Sequence, residues 1–128
     1  MGAKVNSPAG LKIKIGSFTK NCADADQATS VITGVGFKAK AVIFFAYADD
    51  NNTLNTGLDD GITAVGSAVI QGLTACTGQT NQSIRIHPSS GNNQVGHITT
   101  MGNDGFTVTW TKTGTPTSIA TILYLAIS

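Results

Sequence analysis

The chain reads as a succession of short period-two segments separated by turn formers, without the long 3.6-residue periodicity of amphipathic helices. A polar stretch over residues 1–9, carrying Pro8, reads as an arm. LKIKIGSF (11–18) then sets Leu11, Ile13 and Ile15 against Lys12 and Lys14, the alternation of a half-buried strand. Residues 19–28 read as a loop. TSVITGVGF (29–37) alternates Val31, Thr33 and Val35 and meets a turn signal at Gly34 and Gly36. KAVIFFAYA (40–48) differs: Val42, Phe44 and Ala46 fall on one side and Ile43, Phe45 and Tyr47 on the other. Both sides are apolar, so this strand is predicted to be central and covered on two faces. DDNNTLNTGLDDG (49–61) reads as a long loop of turn formers. ITAVGSAVIQGLTACT (62–77) gives two short strands broken at Gly66 and around Gly72, with a short helix over 64–73 as the competing reading. SIRIH (83–87), QVGHITTM (94–101) and FTVTWTK (106–112) give three more strands. The last two are joined by the hairpin signal GNDG (102–105), and Phe106, Val108 and Trp110 share a face. The chain closes on IATILYLAI (119–127), again apolar on both faces, with Ile122, Tyr124 and Ala126 against Leu123, Leu125 and Ile127.

These segments predict an all-β chain: a single antiparallel β-sandwich, jelly-roll-like, of eight or nine short strands over residues 10–128, preceded by the arm over 1–9. A doubly wound α/β fold would need amphipathic helices between the strands, and the sequence has none. In a two-sheet sandwich one face of each sheet fills the core and the other meets water. The strands at 41–48 and 119–127 offer water no polar face, and a contiguous apolar patch of that kind marks an interface. A homo-oligomer is therefore expected, with Phe45, Tyr47, Leu123 and Leu125 in the contact; the ranking of a trimer ahead of a dimer rests on analogy and not on these residues. The other way to cover these side chains is within one chain, by flanking loops or the arm.

Composition sharpens this picture. The 128 residues make one domain, and charged residues are only 12% of them, about half the usual ~25%. All seven acids are Asp, while Thr (18), Ser (9), Asn (9) and Gln (5) supply an uncharged polar surface that is cheaper to bury between subunits than Lys or Glu. A net charge of +1 lacks the basic excess of a general nucleic-acid binder, so no nucleic acid is expected as partner. The charge is uneven. Residues 1–40 hold Lys4, Lys12, Lys14, Lys20, Lys38 and Lys40 against Asp24 and Asp26, whereas the remainder holds Arg85 and Lys112 against five Asp. The sharper reading is a basic arm, through Lys4, Lys12 and Lys14, meeting an acidic surface on a neighbour; the plainer one is a solvated face. The N-terminus has no secretory apolar core, and the longest apolar runs are far short of a bilayer span, so a soluble chain with no membrane partner is expected. Cys22 and Cys76 read either as buried thiols or as a disulfide.

Motifs of chemistry are absent. There is no G-x-S-x-G elbow, and Gly34-Val35-Gly36 fails as a dinucleotide fingerprint because Ala39 stands at the third glycine. His87 and His97 lie on different elements without ligand-spaced partners. Asp49, Asp50, Asp59 and Asp60, with Asn51, Asn52 and Asn55, supply hard oxygen donors, yet Thr53 breaks the EF-hand order; a solvated loop and a calcium site are the two readings. Trp110 and Tyr124 read either as a stacking platform for a sugar or base or as core, and the company of Phe106 and Val108 favours core for Trp110. No catalytic residues, metal or cofactor are expected, and the chain is not read as an enzyme.

Three stretches together resemble small phage-encoded virion structural proteins: VITGVGFKAKAVIFFAYA (31–48), NDGFTVTWTK (103–112) and the terminal IATILYLAIS. The features are G-F-x-x-K-A-V-I-F-F, a late D-G-F-T-x-x-W hairpin and a Tyr-Leu-Ala ending. The two late elements are also similar to the H-type lectin domain, a six-stranded sandwich that assembles through trimers. The resemblance implies a capsid decoration or cement protein, made in the host cytoplasm and located in the virion, with capsid or other virion proteins as partners. The alternative it implies is a lectin-like receptor- or glycan-binding head of a tail or fibre, using loops 49–61 and 88–94.

Overall fold

The structure, a computed structural model, describes residues 10–49, 53–70 and 76–128, with side chains described outside 67–70 and 76–78. The arm expected over 1–9, with Lys4, lies outside the described residues, as does the break expected around Gly72. Ten strands follow in order: β1 (Ile13–Asn21), β2 (Thr29–Ile32), β3 (Ala41–Ala48), β4 (Thr53–Asp59), β5 (Ala64–Ile70), β6 (Cys76–Thr80), β7 (Ile84–Ser89), β8 (Asn92–Gly102), β9 (Gly105–Thr113) and β10 (Ile119–Ile127). They form two antiparallel sheets, β1-β10-β3-β4-β5-β6 and β2-β9-β8-β7. The chain is thus an all-β antiparallel sandwich, as the alternation predicts, with slightly more strands. β1 pairs with β10 and β2 with β9, while β3 to β6 and β7 to β9 run as meanders.

The sheets share one core. Val42, Phe44, Ala46 and Ala48 of β3 and Ala120, Ile122, Tyr124 and Ala126 of β10 meet Ile84 and Ile86 of β7, Ile98 of β8 and Phe106, Val108 and Trp110 of β9. Phe106 stacks edge-on against both Phe44 and Tyr124, with centroids 5.7 and 5.2 Å apart, the geometry that aromatic quadrupoles favour. Trp110 is fully buried, and its Nε1 donates to Ser30 Oγ at 2.9 Å. Trp110 and Tyr124 are therefore core, not a stacking platform.

Two segments depart from the sequence expectation. Residues 53–59, expected as loop, are strand β4, and its alternation is inverted: Thr53, Asn55, Gly57 and Asp59 face inward while Leu54 and Leu58 face out. The reason is the close crossing of β7. Gly57 pairs with Gly66 across β4 and β5, and a Cβ on Gly57 would collide with the Ser83 carbonyl oxygen. Gly66 therefore continues β5 rather than breaking it, and no helix forms over 64–70. Several of the buried polar groups find partners. Ser83 Oγ donates to Asp59 Oδ2 and accepts from Ile98 N at 2.7 Å, Gly61 N donates to Asp59 Oδ1 at 2.7 Å, and Asn55 Nδ2 donates to Thr53 Oγ1 at 3.2 Å.

Strand β1 also faces the other way from the expected half-buried reading, and runs on into the predicted loop as far as Asn21. Ile13 and Ile15 point outward, 60% and 71% exposed, while Phe18 and Lys20 turn inward. Lys20 is buried because its Nζ reaches Asp24 Oδ2 at 2.9 Å and lies 5.5 Å from the Trp110 ring centre.

Candidate functional site

The outer face of the six-stranded sheet is the surface that stands out. Cross-strand register stacks its outward residues in rows: Ile15, Leu125, Ile43, Leu58 and Val65 in one, Ser17, Leu123, Phe45 and Thr56 in the next, and Thr19, Thr121, Tyr47 and Leu54 in the third. Among the described outward side chains of β1, β10, β3, β4 and β5, none carries a charge. Nine large apolar side chains there (Ile13, Ile15, Phe45, Tyr47, Leu54, Leu58, Val65, Ile119 and Leu123) are between 44% and 71% exposed. A depression of about 370 Å³ lined by Phe45, Tyr47, Leu54, Thr121 and Leu123 lies within this face. The contrast with the four-stranded sheet is direct, because β9 presents Thr107, Thr109 and Thr111 and β7 presents Arg85 on its outer side.

The four residues expected at an oligomer contact all lie here. Phe45, Tyr47 and Leu123 are half exposed and Leu125 is partly so, with Leu123 directly opposite Phe45 and Leu125 opposite Ile43. Sequence reading missed that the face continues onto both flanks. Ile13 and Ile15 were visible in the alternation of β1 but assigned inward; Leu54, Leu58 and Val65 sat in segments read as loop or as broken strand. The usable signal is the period-two spacing of Leu54 and Leu58 about Thr56.

The basic residues also converge. Lys12 is tied to the chain end, its N–H donating to Ser128 Oγ at 2.8 Å and its carbonyl accepting from Ser128 N at 3.0 Å. Lys40 N donates to the carbonyl of neighbouring Ile127 at 2.7 Å. Lys12, Lys14, Lys38 and Lys40, all exposed, thus share one end of the sandwich. Lys20 and Lys112 stand at the other end, where Lys20 meets Asp24 and the Lys112 backbone N–H donates to Asp26 Oδ1 at 2.9 Å.

The remaining candidates are dispersed. Asp49 Oδ1 accepts from Ile119 N at 3.0 Å, Asp59 is buried against Ser83, and Asp50 lies outside the described residues. The Thr63 and Ile62 N–H groups, 2.6 and 2.9 Å from Asp60 Oδ1, hold that carboxyl below its usual range. Asp49, Asp59 and Asp60 therefore tie backbone, and among the described residues no group of three His, Cys, Asp or Glu gathers at metal-binding distance. Asp104, in the β8–β9 turn, likewise accepts from Gly34 N at 3.0 Å and Gly36 N at 2.7 Å, which lowers its pKa. Both glycines have φ near +80°, so this loop closes on the hairpin in a conformation that favours glycine. His87 is held below the ordinary histidine value, first by burial and then by the charge of Arg85, while His97 lies exposed on the outer side of β8. Burial raises the Tyr124 hydroxyl pKa. Cys22 is buried, and the choice between thiols and disulfide turns on Cys76, whose side chain lies outside the described residues. Among those residues no helix is long and apolar enough to cross a membrane.

No family model, curated protein or solved structure matches the chain.

Proposed function

We propose that this chain is a non-enzymatic structural protein that assembles with copies of itself through the outer face of its six-stranded sheet, and that the assembly decorates the surface of a virus particle as a cement protein. One observation carries the reading: among the described residues, five adjacent strands turn nine large apolar side chains and no charged one outward. At roughly 100 Å² per half-exposed side chain they offer about 900 Å², comparable to the roughly 800 Å² that each partner contributes to a standard stable interface. The occupant is a second copy. A surface without charge has nothing with which to select a differently charged partner, and rows of Leu, Ile, Phe and Thr are self-complementary in chemistry. A trimer is the first stoichiometry to test, as the lectin-like resemblance implies. Particle attachment is assigned to the lysine-rich end, where Lys12 and Lys14 lie beside Lys40, and to Lys4 of the arm expected from the sequence, against an acidic capsid lattice. Subunits that bind only the assembled lattice stabilise it by mass action and by bridging its units.

The test is hydrodynamic and then compositional. Sedimentation of the full chain at micromolar concentration is expected to show a discrete oligomer, and purified particles are expected to contain the chain at a fixed copy number. A monodisperse monomer that does not co-sediment with particles overturns the proposal.

A further inference from the structure

On the opposite face of the sandwich, a cleft of about 400 Å³ opens over the four-stranded sheet, lined by Gln79, Asn81, Gln82, Arg85, Asn93, Val95, His97, Thr111 and Thr113. Its volume falls within the roughly 300–1,000 Å³ of small-ligand sites. The floor is built by register: Thr111, Val95 and Arg85 stand in one row across β9, β8 and β7, and Thr113 stands beside Asn93 in the next. The wall is the link between β6 and β7. Asn81 holds it in place with φ of +64°, a left-handed conformation uncommon for a residue with a side chain, and with its N–H on the Ala64 carbonyl at 2.8 Å.

Part of the hydrogen-bonding capacity of this cleft is unspent, although Thr111 Oγ1 accepts from Gln27 Nε2 at 3.4 Å. Arg85 makes no ion pair among the described residues, and its Nε is buried without a partner. Gln82 donates through Nε2 to Gln79 Oε1 at 2.5 Å but leaves its own Oε1 buried and unsatisfied. Asn93 lies on the same outer side of β8 as Val95, and no side-chain hydrogen bond engages its amide among the described residues. No carboxylate lines the cleft, so nothing there neutralises the guanidinium. Unsatisfied buried donors and acceptors are costly, and grouped around one cavity they describe what would satisfy them.

We infer that this cleft binds an acidic saccharide, whose carboxylate pairs with Arg85 and whose hydroxyls meet Gln82, Asn93, Asn81, Thr111 and Thr113. A planar guanidinium matches a carboxylate in a two-point, charge-assisted pair. Beside Arg85, four amides, two hydroxyls, the His97 imidazole and a single aliphatic contact, Val95, suit a polyhydroxylated ligand better than an acidic peptide, whose apolar atoms would find little to cover them. Of the loops first expected to hold a glycan, the site takes only Asn93, from 88–94, and nothing from 49–61. It is also independent of the assembly proposed above, because the two occupy opposite faces of the sandwich.

Calorimetric or NMR titration of the full chain with glucuronic acid, N-acetylneuraminic acid, glucose and a glutamate-containing peptide tests the inference. The acidic sugars are expected to bind with millimolar or better affinity and at least about tenfold tighter than glucose or the peptide. Arg85→Gln is expected to weaken them at least about tenfold at unchanged melting temperature, and Asn93→Ala to weaken them less. Leu123→Lys, on the assembly face, is expected to leave binding intact whatever it does to sedimentation. Absence of saturable binding, equal binding of glucose, tighter binding of the peptide, or affinity indifferent to Arg85→Gln overturns the inference.

Discussion

Phe45 and Leu123 face each other across β3 and β10, each half exposed, which makes the pair the most informative place to disturb the outer face. The double variant Phe45→Glu, Leu123→Lys puts opposite charges at facing positions, a favourable cross-strand pair, and leaves the net charge unchanged. In a monomer both side chains would reach water, so the cost to folding is expected to stay within about 1 kcal/mol. In an assembly the same two positions are buried. Each original side chain removes roughly 100 Å² of apolar area from water, about 2.5 kcal/mol apiece at about 25 cal/mol per Å². Losing both weakens each contact by about 5 kcal/mol, between three and four orders of magnitude in affinity, before any penalty for desolvating the new charges. Sedimentation velocity over a concentration series reads the association, and urea unfolding of the dissociated protein reads the fold. The native chain should sediment as an oligomer and the variant as a folded monomer. Ile122→Glu, one residue away but fully buried, should instead abolish the fold. If the charged pair sediments as the native chain does, the outer face is not the contact and the reasoning fails.

Three further outcomes test the physical account of the fold. Gly57→Ala should destabilise the chain by about 2–4 kcal/mol in urea unfolding, because its Cβ has only the backbone of Ser83 to move against; a change below about 1 kcal/mol would mean that β7 does not cross there. Ser83→Ala removes the hydroxyl that joins Asp59 to the Ile98 N–H and should cost about 2–4 kcal/mol by calorimetry, since a buried carboxylate oxygen and a buried amide both lose a partner. The folded state favours neutral His87, so stability from this group is complete above its unfolded value near 6.5 and is lost as pH falls through the lower folded value; urea midpoints should decline on acidification more steeply in the native chain than in His87→Gln, and parallel declines would remove His87 from the account.

Where the sequence was legible, hydrophobicity and burial agreed. On β9, Phe106, Val108 and Trp110 are buried and the intervening threonines are not, so simple alternation gives both strand and face. On β3 and β10 both faces are apolar, and it was this excess that marked Phe45, Tyr47, Leu123 and Leu125 before any coordinates. β4 was illegible because its inward residues are the polar ones. Asp59 is satisfied by Ser83, 24 positions along the chain, and no local pattern announces a partner at that distance. The sense of β1 was misassigned for the same reason: Lys20 looks outward-facing until Asp24 and Trp110 are seen to hold it. The basic end was visible as a tally over residues 1–40, but that Lys40 would stand beside Lys12 depends on where β10 ends.

The inverted strands bear on the apolar outer face, because the fold requires only half of what is seen. The close crossing of β7 leaves no room for large side chains beneath β4 and β5, so their inward positions must be small or hydrogen-bonded. A slip of one residue would drive Leu54 and Leu58 into β7 and put Asp59 outside, which fixes the register. Nothing in that constraint dictates what points outward. β9 shows what this chain uses when a strand faces solvent, namely Thr107, Thr109, Thr111 and Thr113, residues with good strand propensity and no demand to be covered. Had β1, β3, β4 and β10 been built for water, the same threonines would have served at Ile15, Phe45, Leu54 and Leu123. The outward Ile, Phe and Leu side chains are therefore not a by-product of forming the sheet, and the proposed assembly through this face is what would account for them.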